Sequence, residues 1–410
     1  MEIAVEYKIN EMGKIPKEWV ISNLIEKSTL KARIGWQGLT TKEYLDTGDF
    51  YLITGTDFQN GRINFDNCYF VEEERYSQDK NIQIKLDDIL VTKDGTIGKV
   101  AYIDKITKPA TLNSGVFVIR PINNAYYSKY MYYVFNSIYF NDFLRKLVAG
   151  STINHLYQKD FVSFSFPLPP LPEQKAIAEV LSDTDNLIQA LERQIAKKSE
   201  IKQGVMQMLL SPQDGWEEKK IGEIGNCFAG GTPSTFIDDY WNGSIFWLPS
   251  GRVQNNILKV SDKEITITQK GLENSAAKII RSNSVLVAIT GATCGNIAFL
   301  SFEAAANQSV VAIETYNKYN SKFIFYLLLL NRKKILALQT GSAQGGTNLK
   351  SIKSILLFIP NIEEQNRIAG LLCDMEDEIL LLENKLKKCI SIKKGLMQNL
   401  LSGKIRLNIS

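Results

Sequence analysis

Glu173-Gln174-Lys175-Ala176-Ile177-Ala178-Glu179-Val180-Leu181 and Glu364-Gln365-Asn366-Arg367-Ile368-Ala369-Gly370-Leu371-Leu372 are two versions of one segment. Glu, Gln, Ile, Ala and the final Leu coincide at an offset of about 191. The same offset pairs Asp183 with Asp374, Leu191 with Leu382, Glu192 with Glu383, and Ile201-Lys202 with Ile392-Lys393. It goes on to pair Gly204 with Gly395, Met206-Gln207 with Met397-Gln398, and Leu209-Leu210-Ser211 with Leu400-Leu401-Ser402. A gapless match over about 38 residues is a duplication, and a duplication dictates architecture before any motif does.

Each copy reads as one long helix. Ile177, Val180, Leu181, Thr184, Leu187, Ile188, Leu191, Ile195, Ile201, Val205 and Met208 recur at spacings of three and four. So do Ile368, Leu371, Leu372, Met375, Ile379, Leu382, Leu386, Ile392 and Leu396. A stripe kept over five heptads predicts a helix that pairs with another helix. The ends agree: Pro172 and Glu173 suit a first turn, Asn361 with Glu364 predicts a capping box, and Ser211-Pro212 and Ser402-Gly403 are stops.

The segments before the helices correspond more loosely. Trp19 matches Trp216, and Gly55 and Gly251 follow aromatic-rich strands. Asp94-Gly95-Thr96-Ile97-Gly98-Lys99-Val100-Ala101 matches Thr290-Gly291-Ala292-Thr293-Cys294-Gly295-Asn296-Ile297-Ala298, and Asn113-Ser114-Gly115-Val116 matches Asn307-Gln308-Ser309-Val310. Apolar runs at 89–91, 116–119, 285–289 and 310–313 read as buried strands between glycine turns. The expected fold is α+β. Two mixed domains, at 1–172 and 212–361, alternate with a helix at 173–211 and, at 362–410, a second helix with its C-terminal tail. With only Pro212 to Gly215 between the first helix and the second domain, stripe pairing through short loops must be antiparallel. The helices then form a coiled-coil rod of about 57 Å, with a domain near each end and a pseudo-two-fold axis across it.

Composition narrows the function. The 410 residues are 44% hydrophobic and 22% charged, an ordinary folded composition, and the longest apolar run, Phe323 to Leu330, is too short to span a membrane. The opening ten residues lack a secretion signal, and five cysteines without a CxxC pair read as reduced thiols, so a cytoplasmic location is expected. His155 is the single histidine, so a His-rich metal site is excluded. The net charge is +4. Lysine plus arginine and aspartate plus glutamate number 20 each up to Pro172, against 15 and 11 over 212–361. The first domain therefore needs a local basic patch, or help from a partner, to meet a polyanion. No Asn/Asp-Pro-Pro-aromatic loop for holding a target adenine is present, and Gly341-Ser342-Ala343-Gln344-Gly345-Gly346-Thr347 lacks the lysine of a phosphate loop. Two diverged heads on a fixed spacer suit a split target, and two-fold proteins on DNA read half-sites ~34–36 Å apart.

Several motifs carry a family resemblance. Phe166-Pro167-Leu168-Pro169-Pro170-Leu171-Pro172-Glu173-Gln174 with the helix that follows resembles the conserved regions of type I restriction–modification specificity (S) subunits. Gly13-Lys14-Ile15-Pro16-Lys17-Glu18-Trp19 is similar to the lead-in to their first target-recognition domain. Ala229-Gly230-Gly231-Thr232-Pro233-Ser234, then Tyr240-Trp241-Asn242-Gly243 and Ile245-Phe246-Trp247, resembles the opening of such a domain. The chain departs from the pattern at Gly251-Arg252, where the family often has Gly-Asp, and at Arg33-Ile34-Gly35-Trp36-Gln37-Gly38, which replaces the first domain's Gly-Gly-Thr-Pro-Ser opening.

The resemblance implies a non-catalytic, sequence-specific subunit. Each domain would read one half of an asymmetric bipartite site in double-stranded DNA. The helices would set the spacing and dock two methyltransferase (M) subunits, with restriction (R) subunits joining to cleave. It implies no cofactor in this chain; the partners would use S-adenosylmethionine, ATP and Mg. Alternatives from other classes are a single-chain nuclease or methyltransferase, and a coiled-coil scaffold that binds no DNA. Base readers need donors and acceptors such as Arg, Lys, Asn, Gln, Ser and Thr. The candidate DNA-binding residues are Lys93, Thr96, Ser151, Thr152, Asn154 and His155 in the first domain. In the second they are Arg252, Thr290, Thr293, Asn296, Gln344, Thr347 and Asn348. Glycine with small polar residues also makes ordinary turns, and Arg332-Lys333-Lys334 reads first as a solvated helix face, then as a phosphate contact.

Overall fold

A computed structural model describes residues 6–10, 12–149, 155–262, 264–338 and 345–407. The chain forms two compact units. One comprises Met1–Glu192 with Lys385–Ser410, and the other Arg193–Asn384. The long helices are continuous, Leu171–Leu209 and Ile362–Leu401, so each unit holds a length of both.

Within the first unit, an antiparallel sheet runs in the order Val100–Tyr102, Ile89–Thr92, Val116–Pro121, Ser28–Ala32. A smaller sheet pairs Phe50–Ile53 in parallel with Ala110–Leu112 and antiparallel with Tyr69–Val71. Ser165–Leu168 pairs with Val20–Asn23 just before the helix begins. The second unit repeats the scheme: Ile297–Leu300, Ser284–Ala288, Val310–Thr315, Gly225–Ala229, with Asn256–Leu258 added at one edge. Its smaller sheet centres on Trp241–Leu248, and Glu217–Lys220 pairs with Leu356–Ile359.

The apolar runs are continuous because the central strands are covered on both faces. Ile89, Val91, Phe117 and Ile119 face a core with Trp19, Tyr130, Phe135, Phe161, Phe166, Ile177 and Leu181. Leu90, Val116 and Val118 face the smaller sheet through Ile53, Ala110 and Leu112. In the second unit Val285 and Val287 pack with Phe323–Leu328, Ile368 and Leu372, while Leu286 and Ala288 pack on the opposite side.

The repeat's invariant glutamines have a structural reason. Gln174 Nε2 donates to Pro169 O at 2.8 Å, and its Oε1 accepts from Tyr127 N at 2.8 Å. Gln365 does the same with Pro360 O at 2.8 Å and Asn320 N at 2.9 Å. Both side chains are buried. Each amide thus ties the loop before its long helix to the start of a domain helix, Ser128–Phe135 or Ser321–Leu330. An amide suits the task because it donates and accepts at once.

In both units the helix segments run antiparallel. Lys393 bridges Asp185 in the first, while Lys198 and Lys202 bridge Glu378 and Glu376 in the second. The repeat offset maps Asp185 onto Glu376 and Lys202 onto Lys393. A domain tyrosine completes each cluster: Tyr133 donates to Asp185 at 2.9 Å and Tyr326 to Glu376 at 2.7 Å. Burial, and the acidic partner beside each, push both phenols well above their ordinary range.

Two expectations need correction. The stripes are not uniform helix-to-helix seams. Ile177, Leu181, Ile368 and Leu372 enter the domain cores, while Leu187, Ile201, Met208, Leu371 and Ile392 remain 43–64% exposed. Helices this long meet different neighbours along their length, so one apolar period serves several contacts. The capping box is half present: Asn361 Oδ1 accepts from Glu364 N at 2.9 Å, but the Glu364 carboxylate pairs with Arg367.

Candidate nucleic-acid interface

Lys93, Thr96 and His155 of the first unit gather at one end of its central sheet. Lys93 N donates to Gly115 O at 2.9 Å, and Lys93 O accepts from Leu156 N at 2.8 Å. This joins three segments around Lys93, Gly115 and His155. Asp94 and His155 face each other across a β-bridge, and the His155 ring bonds the Asp94 carboxylate through Nδ1. The turn between the strands uses Gly95 at φ +68° and Gly98 at φ +81°, in the region that favours glycine. Gly98 is further constrained, since a Cβ there would lie 2.3 Å from Leu144 Cδ1. Thr96 is exposed at the tip, its carbonyl accepting from Thr92 Oγ1. Lys93 lies 5.2 Å from the Phe117 ring centroid.

The second unit builds the same end. Ile289 N donates to Ser309 O at 2.9 Å, and Thr347 N donates to Ile289 O at 2.8 Å. The turn places Gly291 at φ +67° and Gly295 at φ +80°, with Gly295 against Leu336 as Gly98 is against Leu144. Thr290, Thr293, Asn296 and Thr347 are therefore brought to one site. Asn296 Oδ1 accepts from Arg332 Nη2 at 2.7 Å, and Arg332 Nε donates to Gly295 O at 3.1 Å. Arg332 is thus a brace for the loop, a role its basic run did not suggest. Thr347 is buried with its hydroxyl unpartnered among the described residues.

Other candidates have local duties. Asn348 caps the helix Leu349–Lys353, accepting from Ser351 N at 3.0 Å. Arg252 is ion-paired with Glu264, three residues before Asn255, whose side chain contacts Asn296. Ser151, Thr152, Asn154 and Gln344 lie outside the described residues.

Sequence reasoning missed the neighbours that the fold adds. Thr232 Oγ1 bonds Gln308 Oε1 beside the Ser309 backbone, which brings the Gly230-Gly231-Thr232-Pro233-Ser234 opening to the same end. Gly230 and Gly231 are there for close approach: a Cβ on either would lie 2.2 Å from neighbouring backbone. The signal was present in the repeat, since Gln308 lies within Asn307-Gln308-Ser309.

The surface so built offers hydroxyls, amides, lysine and backbone groups, the donors and acceptors of base edges and phosphates. Among the described residues no group of three or more His, Cys, Asp and Glu could hold a metal, and the five cysteines are free. No helix among them is long and apolar enough to cross a membrane.

Comparison with known proteins agrees with the fold. A family model described as Type I restriction modification DNA specificity domain matches twice, at residues 16–203 and 213–395. The chain named MjaX specificity subunit in Methanocaldococcus jannaschii is 26% identical, covering 98% of this chain and 97% of its own. The type I restriction enzyme MjaVIII specificity subunit of the same organism is 24% identical over 80% of this chain and 81% of its own. The crystal structure of the type I restriction–modification system S subunit from M. genitalium superposes with a TM-score of 0.63 at 15% identity, covering 97% of this chain and 99% of that one. These matches favour DNA recognition over the nuclease and scaffold alternatives. The protein, with two copies of the specificity domain spanning nearly all of its length, belongs to the type I restriction–modification DNA specificity family.

Proposed function

We propose that each unit reads one half of an asymmetric bipartite DNA site through the loop cluster at the end of its central sheet. The observation that carries this reading is the repetition itself. The same glycine-bounded turn, the same backbone joins to neighbouring loops and the same supporting leucine recur in both units. The residues at the tips differ: exposed Thr96 with half-buried Lys93 and His155 in one, exposed Thr290 with half-buried Thr293 and Asn296 in the other. A conserved frame with diverged tips suits two different half-site sequences.

The chain itself carries no chemistry in this reading. Two M subunits dock on its helices and domain flanks and methylate adenine with S-adenosylmethionine. R subunits join to cleave, using ATP and Mg, and the complex works in the cytoplasm. The long helices set the spacing. Because the first domain is electrically neutral, DNA affinity draws on the M subunits as well. Exchange of the loop 93–98 for that of a relative, followed by methylome sequencing with the M partner, tests the assignment. One half-site should change and the other should not. An unchanged motif would contradict it.

A further inference from the structure

Phe236 is the most exposed large apolar side chain among the described residues, at 97%, and Ile237 beside it is 39% exposed. Solvated phenyl rings are disfavoured, and this one is not on a slack loop. Pro233 is buried, Trp241 Nε1 donates to Ser234 O at 3.0 Å, and Tyr240 N donates to Ile237 O at 3.0 Å. Asp239, which could repel a polyanion, is paired with Lys270. The turn is anchored from below by Trp247 Nε1, which donates to Gly231 O at 2.9 Å. The chain holds the ring in place while giving it almost no contact of its own.

Its location gives the ring a partner. Thr232, four residues earlier, bonds Gln308, and the Ser309 backbone bonds Ile289 beside Thr290. Phe236 therefore stands on the turn that follows directly from the loop cluster assigned to the second half-site, four residues along the chain from Thr232. Exposed Ser234 and Thr235 precede the ring, with hydroxyls suited to sugar and phosphate, while the exposed carboxylate of Asp238 follows it and must turn away from a phosphate backbone. DNA-binding proteins insert bare apolar side chains such as Phe, Leu or Ile between base steps and partly unstack them, and a fixed turn with an exposed phenyl tip can do the same.

We propose that Phe236 stacks between adjacent base pairs at the second half-site and opens that step. This rests on the reading of the loop cluster as the DNA surface. The first unit lacks the Gly-Gly-Thr-Pro-Ser opening that presents the ring, so the distortion is confined to one half of the site. Recognition there depends on how easily a step unstacks as well as on contacts to base edges.

The test uses the full chain assembled with its M partners on duplexes bearing 2-aminopurine at successive positions of the cognate site. Wild type should raise fluorescence at one step of the second half-site. Phe236→Ala should lose that signal and bind roughly ten-fold more weakly, since base–aromatic stacking is worth ~1–3 kcal/mol. Phe236→Leu should keep part of both, and probes in the first half-site should not respond. Being on the surface, these variants should fold normally, which circular dichroism checks. Unchanged signal and affinity in Phe236→Ala overturn the proposal. So does weakened assembly with M at unchanged DNA affinity, which would make the ring a protein contact. A complex that prefers no site over random duplex would instead sink the DNA-surface reading on which the wedge rests.

Discussion

Replacing Gln174 by Met keeps the length of the side chain and removes both of its hydrogen bonds. The carbonyl of Pro169 and the amide of Tyr127 then lose partners at 2.8 Å each. A buried polar group left unsatisfied costs ~1–3 kcal/mol. The Pro169 bond is fully buried and the Tyr127 bond partly so, which puts the total at about 2–4 kcal/mol. For a unit of this size that lowers the melting temperature by roughly 5–15 °C. Hydrogen exchange locates the effect: the Tyr127 amide should lose protection while the Asn320 amide, held by Gln365, keeps it. Gln365→Met should show the converse. If Tyr127 stays protected in Gln174→Met, or the melting temperature does not move, the glutamines are not the ties described above and the invariance of the pair needs another cause.

Further outcomes are expected. Arg406→Ala strands the Glu173 carboxylate, which is 1% exposed and otherwise bonded to Trp19 Nε1; denaturant titration should show a loss of ~3–5 kcal/mol, and the double variant with Glu173→Gln should recover part of it. Stability should fall as pH rises above about 10. Burial raises the Tyr126, Tyr130, Tyr133 and Tyr326 hydroxyls in the folded state. The unfolded chain then releases protons that the folded chain retains, which favours unfolding at high pH. Urea unfolding at pH 9 and 11 checks the sign, and Tyr326→Phe should make the slope shallower. Lys93→Gln should weaken DNA binding by the assembled complex and reduce the log–log salt slope by about 1; an unchanged slope would remove Lys93 from the phosphate contacts. Lengthening both long helices by one matched heptad, about 10 Å, should widen the spacer by about three base pairs and leave both half-site sequences as they were.

The architecture was legible because the duplication is written in identities and in the period of apolar residues, both properties of sequence. The paired turns at 94–98 and 291–295 were legible for the same reason, since glycines at positive φ cannot be replaced cheaply. The ties across the fold were not. Tyr133 and Tyr326 stand outside the gapless repeat, so nothing in the alignment joined them to Asp185 and Glu376. Glu173 read as a first-turn acid complementing the helix dipole, because its true partner Arg406 lies 233 residues away. Arg332 read as a surface charge because whether a basic side chain turns outward or braces a loop depends on tertiary context. Phe236 was invisible in the sequence: an aromatic residue in a turn reads as core until its exposure is seen.

In the proposed function, two diverged units read two different half-sites held at a fixed separation. Methylome sequencing of a host carrying this chain with its M partner, with and without the second unit exchanged for that of a relative, tests it most directly. The expected result is a split, asymmetric motif with a constant gap, of which the exchange alters one half. A continuous or palindromic motif, or an exchange that rewrites both halves, would contradict it.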